Sequence, residues 1–115
     1  MSVQVNDYLI HGIKLPYESG AEDKYEDYKD SAFEGIKEKN GLCVICDGMN
    51  GKYIFIGHVL AKSKDEERIA DEPICINKED VDRFARGRIA YLIYKEFNLE
   101  ISTTDVKLWL VTHYR

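Results

Sequence analysis

Hydrophobic and polar positions change period several times along the chain, and each change marks an element. Residues 7–15 (DYLIHGIKL) form a short run of large apolar residues closed by Pro16, whose ring removes a ladder donor; this predicts a first strand. Over residues 20–39, Ala21, Tyr25, Tyr28, Ala32 and Ile36 recur at steps of three and four, which predicts an amphipathic helix stopped by Asn40-Gly41. Residues 42–46 and 53–61 are β-branched and aromatic runs separated by DGMNG, a hairpin signature. The acidic stretch after Lys62 reads as a solvated loop, and residues 73–76 as a short extended piece. Asn77, with Asp80 three residues on, opens a second helix whose buried stripe is Val81, Phe84, Ala85, Ile89, Leu92, Ile93 and Phe97. Residues 106–114 alternate and are rich in strand formers, which predicts a final strand.

The resulting β-α-β-β-α-β order predicts an α+β fold: a four-stranded, mainly antiparallel sheet with two helices on one face, ferredoxin-like or a similar two-layer sandwich. In the ferredoxin-like strand order the first strand lies between the third and the fourth. The hairpin strands are apolar at both parities, with Tyr53, Phe55 and Val59 on one side and Ile54, Ile56 and Leu60 on the other. Two helices cover one face only. The sheet-face aromatics Tyr53, Phe55 and Trp109 are therefore candidates for a partner or dimer contact, the alternative being cover by loops and strand twist.

Length adds that one core suffices, so residues 1–115 are expected to form a single domain. No apolar stretch approaches the ~20 residues of a bilayer span, and the first residues lack the basic and apolar regions of a signal peptide. A cytoplasmic location is the expectation, with no membrane partner. Three cysteines in a reducing compartment predict thiols rather than a structural disulfide.

Charge changes the picture more. The formal net charge is −5, but residues 18–34 carry seven acids against two lysines, and residues 64–82 carry eight acids against three cations, so each segment is −5 and the remainder is +5. The acidic surface candidates are Glu22, Asp23, Glu26, Asp27 and Asp30 on the expected first helix, and Asp65, Glu66 and Glu67 on the loop. A solvated helix face and loop would account for the same residues.

Candidate chemistry is sparse. Cys43-Val44-Ile45-Cys46 has the spacing of a zinc pair, and Cys75 and His58 would complete four ligands, but residues three apart on a strand point to opposite faces, so buried thiols are the expectation. His11, His58 and His113 all fall on expected strands without a carboxylate spacing or an HExxH motif beside them. The strand order is also that of the RNA recognition motif. Residues 51–58 (GKYIFIGH) keep its aromatics at the third and fifth places but lack the basic first, glycine second, small fourth and aromatic eighth residues. The acidic charge opposes phosphate binding as well. No P-loop, dinucleotide fingerprint, GxSxG or kinase signature occurs, and Asp47 and Asp105 sit where turns need backbone hydrogen bonds.

These readings predict a non-enzymatic interaction module, without a cofactor, that binds a protein with a basic surface. In size, charge and aromatic content, though in no motif, the chain resembles small acidic bacteriophage domains that inhibit host nucleic-acid enzymes or defence systems. That likeness implies a phage or mobile-element accessory protein. Two alternatives remain: a small nucleotide- or metal-binding enzyme or sensor, and a homodimer joined through its sheet face.

Overall fold

The computed structural model describes residues 5–17, 41–47, 51–63 and 75–114. Four strands, β1 (Val5–Leu15), β2 (Cys43–Cys46), β3 (Ile54–Lys62) and β4 (Lys107–Tyr114), form one sheet in the order β2-β3-β1-β4 with every neighbour antiparallel. Among the described residues one α-helix, α1 (Arg83–Phe97), lies between β3 and β4. The α+β class and the antiparallel four-stranded sheet are thus present, with the first strand between the third and fourth. The element order among the described residues is β-β-β-α-β; the helix expected over residues 20–39 and the loop and extended piece expected through residue 74 lie outside them.

β1 starts two residues earlier than expected and β2, β3 and β4 one residue later, while only β3 ends elsewhere, one residue further on. The β2–β3 turn is tied by Asp47, whose N–H donates to Tyr53 O at 3.0 Å and whose carbonyl accepts from Gly51 N at 2.8 Å. Its Oδ2 also accepts from Lys52 N at 3.1 Å, so the buried Asp47 carboxylate serves the turn. In the β1–β3 register, Leu9 faces Ala61 and Ile10 faces Val59, which leaves Leu60 as the extra residue of a bulge.

The second helix begins later than its periodicity suggests. Residues Lys78–Asp80 form a 3₁₀ turn, Asn77 makes no side-chain cap, and Asp82 caps α1 by accepting from Ala85 N at 2.8 Å. Asp82 wins because its carboxylate both satisfies an orphan N–H and sits at the positive end of the helix dipole. At the other end Asn98 takes the left-handed conformation (φ 56°) and donates to Tyr94 O at 2.8 Å. The later start shifts the buried stripe: Ala85, Ile89, Ala90 and Ile93 are buried, whereas Phe84 is 75% exposed. Phe84 lies roughly 140° and 180° around the axis from Ile89 and Ile93, so it cannot join them.

Both sheet faces carry an apolar cluster. Under α1 lie Ile13, Leu42, Val44, Ile54, Ile56 and Val106 with Ile89 and Ile93 of the helix. On the opposite face Tyr8, Ile10, Cys43, Ile45, Phe55 and Val111 are buried, with Tyr53, Val59 and Trp109 packed against them. That face is closed within the isolated chain. At the centre of the sheet Gly12 faces Gly57, and a Cβ on Gly12 would stand 2.7 Å from the Gly57 Cα, one on Gly57 2.6 Å from the Gly12 Cα. No side chain fits between β1 and β3 here. Trp109 closes over this gap, its indole N–H donating to Gly12 O at 3.2 Å.

Gly12→Ala is accordingly expected to destabilise the fold by about 1–3 kcal/mol or more in urea unfolding, the range for forcing atoms into a packed interior. Gly87→Ala should do the reverse, by about 0.5–1 kcal/mol, because its Cβ would meet only Thr103 Cγ2 at 3.9 Å in mid-helix. Equal midpoints for the two variants would refute this account of the sheet centre.

Candidate functional site

The largest exposed apolar side chains among the described residues fall on two elements: Phe84, Tyr91 and Tyr94 on α1, and Leu108 and Leu110 on β4. On α1 their arrangement is regular. Phe84, Arg88, Tyr91 and Lys95 follow one another at steps of four, three and four, which places them within about 60° on the side opposite the core stripe. All four are exposed, and the Arg83 guanidinium stacks over the Phe84 ring at 5.2 Å from its centroid. The helix carries four cations and one acid, a net of +3, so most of the chain's +5 excess outside the acidic segments is gathered here. Chemically this face offers guanidinium and ammonium donors between flat aromatic surfaces, a match for carboxylates with apolar neighbours.

The exposure of Leu108 and Leu110 has a different origin. They stand opposite His11 and Leu9 on the α1 side of the sheet, but α1 packs over β1 and β3, and β4 lies at the edge. The main contacts of α1 are thus with the two inner strands and not with this edge.

All eight acidic candidates, Glu22, Asp23, Glu26, Asp27, Asp30, Asp65, Glu66 and Glu67, lie outside the described residues. Within the described part of the second acidic segment, Glu79, Asp80 and Asp82 gather at the N-terminus of α1, and Asp82 is engaged as its cap. The sheet-face aromatics form a packed group: Phe55 is 4% exposed, its ring 5.1 Å from that of Tyr53 and 5.4 Å edge-on to that of Trp109. Tyr53 and Trp109 are half-buried, so the parts of this set that reach the surface are their outer edges.

Cys43 and Cys46 are both buried on opposite faces of β2, Cys43 beside Ile45 and Phe55, Cys46 beside Val44 and Ile54, and Cys75 is exposed. Among the described residues no three of His, Cys, Asp and Glu come together in a metal-binding group. His58 stands directly opposite His11 in the β1–β3 register, while His113 pairs with Asn6, five positions along β4 from the partner of His11. Asp105 closes a capping box with Ser102, accepting from its N–H at 2.9 Å.

The residue that sequence reasoning undervalued is His11, 2% exposed. Its parity with Ile13 and Leu15 was the available signal. Burial pushes its pKa below the ordinary 6.5; a backbone hydrogen bond with Asp80 works against this, and the Arg86 charge adds to it. Burial therefore favours the neutral ring. Comparison with protein-family models, with curated proteins and with solved structures finds no match to this chain.

Because the unfolded chain takes up a proton at His11 more readily than the folded one, the stability contribution is complete above pH 6.5 and falls as pH drops towards the lower folded value. Unfolding free energies from urea titrations should decline through that window by up to about 1.4 kcal/mol per pH unit for this group. The His11→Gln variant, which keeps an N–H donor but cannot titrate, should show a flatter profile; an unchanged slope would remove His11 as its cause.

Proposed function

We propose that this chain is a small protein-interaction module without catalytic activity, whose partner is a protein with a basic surface that meets the acidic segments. The observation that carries this reading is the separation of charge: two segments of −5 each, against a helix of +3 whose outer face also exposes Phe84 and Tyr91. A chain whose charge is so divided along its sequence would attract a basic surface through its acidic segments while the cations of α1 repel it. Basic grooves that hold nucleic acid are the surfaces such a module would occupy. A phage or mobile-element accessory protein that blocks a host nucleic-acid enzyme or defence system is the corresponding biological setting. The two-helix, ferredoxin-like completion of the fold belongs to this reading, since it would place Glu22, Asp23, Glu26, Asp27 and Asp30 along one helix.

The test is reconstitution of the complex from purified components once a partner has been recovered from the native host. Affinity is expected to fall at least tenfold between about 0.05 and 0.3 M salt, as exposed charges become screened over less than ~10 Å. Replacing Asp65, Glu66 and Glu67 by their amides, or the five first-segment acids likewise, should weaken binding, while Tyr91→Ala should leave it unchanged. Salt-insensitive binding lost in Tyr91→Ala would overturn the reading and move the interface to α1. Sedimentation as a homodimer that excludes the partner would overturn it as well.

A further inference from the structure

Along the outer face of α1 the order is aromatic, cation, aromatic, cation: Phe84, Arg88, Tyr91 and Lys95, all exposed. Steps of four, three and four are the spacing by which one helix presents a seam to another. From Phe84 to Lys95 the seam runs about 16 Å, or three turns. The single acid of the helix, Glu96, is turned about 120° from Phe84 around the axis, so the seam itself carries only positive charge. The core requires none of these side chains, since the buried positions Ala85, Ile89, Ala90 and Ile93 lie on the other side.

Charge decides what fits this seam. A second α1 laid against the first would oppose two helices of net +3, which repel each other. A purely apolar helix would cover Arg88 and Lys95 without pairing them, and an unpaired charge is costly to bury. A polynucleotide continuing past the N-terminal end of the seam would run against Glu79, Asp80 and Asp82. An acidic amphipathic helix meets none of these objections. Its carboxylates pair with Arg88 and Lys95, and its apolar side chains cover Phe84 and Tyr91.

We propose that the outer face of α1 docks an acidic amphipathic helix of a partner protein. The carboxylates of that helix, one heptad apart, lie against Arg88 and Lys95, and its aliphatic side chains between them lie against Phe84 and Tyr91. Three turns make a small contact, which places it in the weak, transient class. The inference uses none of the acids assigned to the basic partner proposed above, and either reading can fail without the other.

Titration of the ¹⁵N-labelled full chain with three probes tests it: a synthetic peptide of about two heptads with leucines on its seam and glutamates a heptad apart, the same peptide with lysines for glutamates, and a single-stranded oligonucleotide. The acidic peptide is expected to shift the amides of Phe84, Arg88, Tyr91 and Lys95 saturably, with the other two probes about tenfold weaker or more. Tyr91→Ala, at an exposed site where alanine is the better helix former, should stay folded and weaken the acidic peptide by about fivefold or more. Arg88→Glu combined with Lys95→Glu should lose the acidic peptide and gain the lysine peptide, a swap that a folding defect would not produce. Tighter binding of the oligonucleotide, shifts centred away from α1, or an unreversed preference in the charge-swapped variant would each overturn the proposal. Two results on the free protein would do so as well. Self-association abolished by Tyr91→Ala would give the face to a second copy. Movement of the Tyr91 and Lys95 resonances when Glu22, Asp23, Glu26, Asp27 and Asp30 are replaced by Gln or Asn would give it to this chain's own acids.

Discussion

The close approach of β1 and β3 at Gly12 and Gly57 is the constraint on which the rest of this structure depends. Two central strands meet there without side chains between them on the face that carries Trp109 and Phe55, and the indole N–H reaches the Gly12 carbonyl across the gap. The alternation of the strand then sends the neighbouring His11 and Ile13 to the other face, under α1. A one-residue slip would bring side chains into the gap and turn His11 out of the core, so the glycine pair sets register as well as spacing. The position of His11 beside Arg86 follows from that register.

Charge is organised around a single boundary. The second acidic segment ends at Asp82, and the next residue begins a helix of net +3. Part of the acidity therefore has a local reason, because Asp82 holds Ala85 N and Glu79 and Asp80 lie at the same helix end. Helix capping does not account for the regular interleaving of Phe84, Arg88, Tyr91 and Lys95 on the outer face. That face keeps apolar area in water which core packing does not require, and its cations would hold a basic partner away from it.

Much of the fold was legible in the sequence. Three of the four strands, the hairpin turn, the later helix and the central place of the first strand all follow from periodicity and turn residues, and β1 differs only by extending two residues earlier. Phe84 and the start of α1 were misread because the apolar spacing from Val81 continues through residues that a competing cap excludes from the helix. His11 lay on the right parity to be buried, but Arg86 becomes its neighbour only once α1 crosses the sheet, and no local pattern encodes that. The apolar character of both sheet faces was visible as well. That Phe55 is buried in the isolated chain was not, because alternation places a side chain on a face and leaves open what covers it.

The edge strand β4 has a bearing on how the protein behaves in concentrated solution. It pairs on one side with β1, contains no proline, and exposes Leu110 to 72% beside the half-exposed Leu108. Among the described residues no strand lies on its other side, and a row of backbone donors and acceptors bordered by leucines is a template onto which another extended chain can add. Lys107 is the one charged residue within the strand, so it acts as a gatekeeper against stacking of edges. Crowding or loss of that charge would be felt first as aggregation along β4, well before the core behind it yields.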